Sequence, residues 1–221
     1  MSIKLHHAPM TRSFRIRWLL GELALEHELV RMNFFAGDRD TPAFRGLNPM
    51  GSLPVIEDDG FALVESGAII NHLLRRHGGG RFQAAAGSRE ASLIDQWMYW
   101  SESLLAIHQR IYWDHCAPPP GCISEPVPRV GHEARDAAIR CLGMLEAALG
   151  DNGFVVGALS GADFMLSFPL FFASQDGWLQ GLPKTASYFR RIQARPAFAS
   201  AVDDTEKLLA RFEAKQRASV A

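Results

Sequence analysis

Asn48-Pro49-Met50-Gly51-Ser52-Leu53-Pro54-Val55-Ile56 and, one hairpin further on, Glu65-Ser66-Gly67-Ala68-Ile69-Ile70 form the most informative segment of the chain. Pro54-Val55-Ile56 runs into Asp58-Asp59-Gly60, a hairpin-turn signal, and Phe61, Leu63 and Val64 read as the returning strand. Glu65 and Ser66 then open a helix that carries Ile69, Ile70, Leu73 and Leu74 on one face. Gly78-Gly79-Gly80 ends it, because glycine tolerates the left-handed backbone at a helix C-terminus. The segment is a strand–strand–helix unit.

Upstream, Ile3 and Leu5 alternate with polar neighbours as a half-buried strand does. Ile16, Leu19, Leu20, Leu23 and Ala24 follow helical spacing, and Leu29, Val30, Met32 and Phe34 make the next strand. A strand–helix–strand unit of this length predicts a parallel pair with a right-handed crossover. A loop holding Gly37, Asp38 and Asp40 joins the two halves into a βαβ–ββα sheet domain.

From Ser88 onward the periodicity is helical. Leu93, Trp97, Trp100, Leu104, Ile107 and Ile111 mark one long amphipathic helix. Pro118-Pro119-Pro120-Gly121, with Pro126 and Pro128, reads as a loop. Ala134, Ala138, Cys141, Leu142 and Leu145 define a second long helix, and others are expected over 160–175, 183–194 and 197–215. Ser160-Gly161-Ala162-Asp163 has the spacing of a capping box with Asp in place of Glu, and Pro169 implies a kink. The expected architecture is α/β plus all-α: a βαβ–ββα domain over residues 1–80, a glycine-rich linker, and a helical bundle domain over 88–221.

The 221 residues suffice for two small cores, and 48% hydrophobic with 21% charged residues is ordinary globular composition. A formal net charge of −1 gives no reason to expect nucleic acid or an acidic membrane as partner. No apolar run approaches a membrane span, and Lys4 is followed by His6 and His7 rather than an apolar stretch, so a cytoplasmic location is expected. Cys116, Cys122 and Cys141 lack CxxC spacing, which argues against a disulfide framework or a zinc site.

Through Asn48–Ile56 and Glu65–Ile70 the chain resembles the cytosolic glutathione transferase family, which implies that the N-terminal domain is thioredoxin-like, and the resemblance extends over nearly the whole sequence. His6-His7 through Thr11-Arg12-Ser13-Phe14-Arg15-Ile16-Arg17-Trp18-Leu19-Leu20 is most similar to bacterial members with a Ser/Thr-type site. The resemblance implies a cis peptide at Leu53-Pro54, glutathione as co-substrate, a small hydrophobic electrophile as the other substrate, and a homodimer. A cis bond there turns the Leu53 backbone N–H and C=O toward an extended tripeptide, which adds like one more strand. Ser66 at a helix N-terminus offers a hydroxyl and free N–H groups to the γ-glutamyl carboxylate, and Glu65 can take the ammonium of the same residue. An ordinary strand-entry proline and an ordinary N-cap are the plain readings of Pro54 and Ser66 taken singly.

Many family members carry Lys where this chain has Ser52, so the glycyl carboxylate meets a weaker partner unless Arg39 or Arg45 substitutes. The resemblance puts Thr11 where the hydroxyl that stabilises the thiolate sits, with Ser13 as runner-up and Arg12 as a nearby positive charge. Lowering a free thiol pKa by ~2 units takes roughly 2.7 kcal/mol. A hydroxyl donor to a charged acceptor gives about 1.5–3 kcal/mol and a helix N-terminus roughly 0.3–1, which is just sufficient. Thr11 serves equally as the N-cap of that helix. An electrophile pocket is expected between the domains, with Tyr99, Trp100, Ser103, Ile107, Trp113 and Phe172 as candidates by position. Two other functions share this fold: a glutathione-dependent peroxidase, and a non-catalytic glutathione-binding or regulatory module. Disulfide exchange through a protein thiol is disfavoured, since Pro9-Met10-Thr11-Arg12 contains no cysteine.

Overall fold

The computed structural model describes residues 2–34, 36–117 and 125–220, so the Pro118–Gly121 segment and Cys122 lie outside the described residues. The chain forms two compact units, Met1–Gly79 with Gln193–Ala221, and Gly80–Ile192.

The first unit holds a four-stranded sheet in the order β2-β1-β3-β4, made by β1 (Ile3–His7), β2 (Glu28–Arg31), β3 (Val55–Asp58) and β4 (Phe61–Val64). β1 and β2 are parallel across the crossover helix α1 (Ser13–Leu23), as the spacing predicts, and β1, β3 and β4 are antiparallel. Asp59 (φ 51) and Gly60 (φ 83) form the turn, both in the left-handed region that a two-residue type I′ hairpin requires. Pairs such as Leu5 with Leu29 and Ile56 keep the apolar residues in register. Two elements go beyond the sequence reading: a 3₁₀ turn at Asp38–Asp40 and the short helix α2 (Pro42–Leu47). Thr41 caps α2 by accepting from the Phe44 N–H, and Pro42 stands at its first position. Helix α3 (Ser66–His77) buries Ile69, Ile70, Leu73 and Leu74.

The last helix, α9 in chain order (Pro196–Val220), belongs to this unit. Phe198 meets Phe14 and Trp18 of α1 edge-on at 6.2 and 5.3 Å. Gly21 faces Ala197 so closely that an added Cβ would lie 3.1 Å from the Ala197 Cβ. Arg195 closes a two-point ion pair on Glu22 at 2.5 and 2.6 Å.

The second unit is helical: α4 (Arg89–Trp100), α5 (Ile107–Cys116), α6 (Pro128–Ala148), α7 (Gly161–Gln175) and α8 (Pro183–Gln193). The single long helix expected over Leu93–Ile111 is interrupted by a π-helical segment, Ser101–Ala106. Pro128, expected in the loop, is the first residue of α6, where its missing N–H costs nothing. Pro169 removes the N–H that would bond the Met165 carbonyl inside α7. The buried Ser101 hydroxyl supplies that donor at 3.0 Å, and Gln109 donates to the Pro169 carbonyl at 2.8 Å. Among the described residues no helix is long and apolar enough to cross a membrane.

Candidate functional site

Ala8 follows β1 and Leu53 precedes β3, while Glu65 and Ser66 follow β4. The register His6 with Val55 and Val55 with Val64 therefore brings all of them to one end of the sheet. The Leu53-Pro54 peptide is cis. Leu53 is buried, and its backbone N–H and C=O make no hydrogen bond among the described residues. Such groups are the ones an added strand pairs with.

Glu65 occupies the N-cap position of α3 with φ 69 and ψ 111 and makes no side-chain cap bond. Ser66 is thus the first helical residue rather than the cap, so the plain N-cap reading of Ser66 is corrected. A non-glycine residue at this φ is strained by roughly 1–3 kcal/mol, and such strain clusters at ligand sites. Ser66 is buried, and its hydroxyl accepts from Arg15 Nη1 at 3.0 Å. Arg15 is wholly buried on α1, so a fixed cation stands behind the N-terminus of α3. Sequence reasoning missed Arg15, although an arginine between Phe14 and Ile16 in a helical apolar stripe was a usable signal.

Ser52 is exposed, and its hydroxyl accepts from Asn48 Nδ2 at 2.9 Å. Arg39 and Arg45 both reach this segment: Arg39 Nη1 donates to the Gly51 carbonyl at 3.2 Å, and Arg45 Nη1 donates to the Pro49 carbonyl at 2.5 Å. Arg45 also pairs with Asp40, whereas Arg39 stacks 3.7 Å above the Phe34 ring. Gly51 (φ 62) lies so near Arg45 that a Cβ would fall 2.8 Å from the guanidinium carbon.

Around the start of α1, the N-cap is Arg12 and not Thr11, and Arg12 makes no side-chain cap bond. The Thr11 hydroxyl lies 2.8 Å from the Ala8 carbonyl and 2.6 Å from the Ser13 hydroxyl. Ser13 is 0% exposed and Thr11 8%, so Thr11 is the more accessible of the two. The Ser13 hydroxyl lies 2.7 Å from His7 Nδ1, and His7 Nε2 lies 2.8 Å from Asp204 Oδ2 on α9. Arg17 Nη1 sits 2.8 Å from the same carboxylate oxygen and 3.2 Å from His7 Nε2, and Arg31 closes at 3.5 Å. Burial lowers the His7 pKa below its ordinary value despite the Asp204 hydrogen bond and charge. For Asp204, burial acts upward, but the His7 bond and the charges of His7, Arg17 and Arg31 outweigh it and hold the carboxyl low.

Asp58, His72 and His77 bring one ligand atom each within 4.8 Å of one another. Both imidazole Nε2 atoms lie 2.8 Å from Asp58 Oδ2, and Arg76 Nε lies 3.2 Å from it. Two ligands of one tetrahedral metal stand roughly 3.3 Å apart, so the 2.8 Å separations are hydrogen bonds within an ion-pair cluster that ties β3 to the end of α3. The expected pocket residues fall in the second unit with differing exposure: Tyr99 is 71% exposed, whereas Trp100 is buried and Trp113 stacks edge-on to Phe172 at 4.9 Å.

Residues 1–75 match the family model of the glutathione S-transferase N-terminal domain. A Schizosaccharomyces pombe protein named glutathione S-transferase 3 is 37% identical over 103 residues, 47% of this chain and 42% of the yeast protein. A Triticum aestivum protein named glutathione S-transferase 1 is 27% identical over 205 residues, 86% of this chain and 89% of its own. The fold matches the crystal structure of a glutathione transferase homolog from Lodderomyces elongisporus, which holds two GSH per subunit. The TM-score is 0.83 at 22% identity, over 92% of this chain and 98% of that one.

Proposed function

We propose that this chain is a cytosolic glutathione transferase that binds reduced glutathione on the first unit and delivers its thiolate to a small hydrophobic electrophile. The observation that carries the reading is the pairing, at one end of the sheet, of the uncommitted Leu53 backbone groups with a buried Ser66 backed by Arg15. The cysteinyl backbone pairs with Leu53, as an added strand would. The γ-glutamyl carboxylate takes the Ser66 hydroxyl and the N–H groups that open α3, with the Arg15 charge behind them. Glu65, exposed beside them, takes the ammonium.

The glycyl carboxylate goes to Ser52 and Arg39, since Arg45 is already paired with Asp40. Thr11, more accessible than Ser13, donates to the sulfur, and Arg12 adds positive charge at the same helix start. Chemistry then rests on proximity and electrostatic stabilisation of the thiolate. A homodimer in the cytoplasm completes the reading, as the family resemblance of the sequence implies.

Calorimetric titration with reduced glutathione, followed by a conjugation assay with a generic aromatic electrophile, tests it. Binding with turnover is expected, and Thr11→Ala is expected to raise the pKa of the bound thiol with affinity kept within a few-fold. Absence of binding overturns the reading. Binding without turnover by any electrophile or peroxide leaves a glutathione-binding module in its place.

A further inference from the structure

The hydroxyls at the start of α1 are not isolated donors. Thr11 Oγ1, Ser13 Oγ, His7 Nδ1 and, from the other side of the ring, Asp204 Oδ2 follow one another at 2.6, 2.7 and 2.8 Å. Each hydroxyl has one proton to give, so the chain has a direction. His7 sets it. Its Nε2 lies nearer the Asp204 carboxylate than the Arg17 guanidinium, so the resting ring carries its proton on Nε2 and Nδ1 accepts from Ser13. With Ser13 donating to His7, the Thr11 proton is shared between Ser13 Oγ at 2.6 Å and the Ala8 carbonyl, which accepts from Thr11 at 2.8 Å. In that state Thr11 has no proton left for a sulfur.

Resting on the glutathione reading above, we propose that His7 is the internal acceptor of the glutathione thiol proton, reached through Thr11 and Ser13, with Asp204 as the carboxylate that holds the resulting imidazolium. The S–H bond breaks and its proton goes to Thr11 Oγ1. The Thr11 proton passes to Ser13 Oγ, and the Ser13 proton forms the new bond to His7 Nδ1. The products are a thiolate and an imidazolium, with every hydroxyl reversed. His7 now donates to Ser13, Ser13 to Thr11, and Thr11 to the thiolate it helped to create. When product leaves, the proton returns along the same hydroxyls to the water that replaces it.

The charges around His7 determine how far the transfer runs. Arg17 from α1 and Arg31 from β2 oppose the imidazolium, while Asp204 from α9 favours it, and Asp203 moderates Arg17. Between separated groups the step is uphill, because a free thiol has a pKa of about 8.5 and burial lowers His7. The new thiolate and imidazolium attract each other through two hydroxyls, and burial of His7 and Ser13 keeps that attraction weakly screened, which offsets that difference. His7 and Asp204 touch no reacting atom and are positioning residues. The C-terminal helix α9 is thereby part of the thiol-activating machinery.

The test is made on the intact wild-type protein. Glutathione binding is measured by calorimetry in two buffers of different ionisation enthalpy, with the ultraviolet absorbance of the thiolate read at the same pH. The expected result is thiolate formation with no net proton released to the buffer. One proton released per thiolate overturns the relay while leaving the transferase reading intact, and no binding or no thiolate overturns both. Ser13→Ala cuts the chain with little change of volume. It is expected to restore proton release or abolish the thiolate, and Asp204→Asn is expected to shift the rate–pH profile. A Ser13→Ala protein that still forms thiolate without proton release rules out the path through Ser13.

Discussion

Helices α3 and α7 begin in opposite ways. The first turn of α7 converges on the Asp163 carboxylate, which accepts from the Ser160 N–H at 2.7 Å, the Val155 N–H at 3.1 Å and the Tyr188 hydroxyl at 2.6 Å. The first turn of α3 has no side-chain cap, and its N-cap residue Glu65 is held at φ 69. Helix N-terminal N–H groups need acceptors. α7 finds a side-chain acceptor within its own unit, whereas α3 has no side-chain cap and is the start proposed to receive an anion. What α3 lacks at its start it regains at its end, where His72, Arg76 and His77 close on Asp58. One helix is held at its N-terminus and serves stability, while the other is held at its C-terminus, and its N-terminus is the one proposed to meet a ligand.

Breaking the α7 start has the largest expected effect. Asp163→Ala leaves the Ser160 and Val155 N–H groups and the Tyr188 hydroxyl without their acceptor in a region where Asp163 itself is 0% exposed. Stability falls by about 4 kcal/mol, since each buried unsatisfied donor costs about 1–3. Denaturant unfolding followed by circular dichroism measures it, and a loss below about 1 kcal/mol contradicts the structural role given to this start.

Asp58→Asn attacks the opposite end of α3, with an expected loss of about 2 kcal/mol at neutral pH. Burial alone would raise the Asp58 pKa, but hydrogen bonds from His77 and His72 and the charges of His77 and Arg76 bring it below its ordinary value. A carboxyl depressed in the folded state contributes stability that is fully present above its unfolded pKa, near 3.9, and is lost as pH falls through the folded value. The gap between wild type and Asp58→Asn therefore narrows in the acid limb below about pH 4. A gap constant down to pH 2 would assign the effect to packing instead of charge.

The comparison also marks how far the sequence could be read. The Asp59-Gly60 turn and the Ser160–Asp163 pair are local patterns, and each was legible because the residues that define it lie within a few positions. The βαβ–ββα sheet followed from the same kind of signal, whereas the cis peptide at Pro54 followed from the family resemblance and not from its neighbours. Helix α2 was announced by Thr41-Pro42, a cap followed by a first-position proline, but its single turn and a half carries too little periodicity to stand out. The π-helical segment has no such signature, because Ser101 is explained only by the Met165 carbonyl that Pro169 leaves without its usual donor. His7 and Asp204 are 197 residues apart in sequence, and nothing near either one names the other.

Ser66→Ala probes the ligand side of α3. Losing a hydroxyl that serves a carboxylate weakens glutathione binding about tenfold, with stability changed by no more than about 1 kcal/mol. Calorimetry and thermal unfolding separate the two, and unchanged affinity removes Ser66 from the γ-glutamyl site.

Glu65→Gly gives the smallest shift and the sharpest one, because stability and binding should move in opposite directions. Glycine reaches φ 69 without the Cβ clash that Glu65 bears. Relief of roughly 1–3 kcal/mol of strain exceeds the ~0.5–1 kcal/mol that glycine costs through the unfolded chain, so the folded state gains about 1 kcal/mol. Glutathione affinity falls meanwhile, since the carboxylate proposed to hold its ammonium is gone. Glu65→Ala separates the two effects: it removes the carboxylate but keeps a Cβ, so affinity falls without the gain in stability. A Gly variant less stable than the Ala variant by ~0.5–1 kcal/mol would mean that the backbone at Glu65 stores no strain, and the uncapped start of α3 would then be an ordinary helix end.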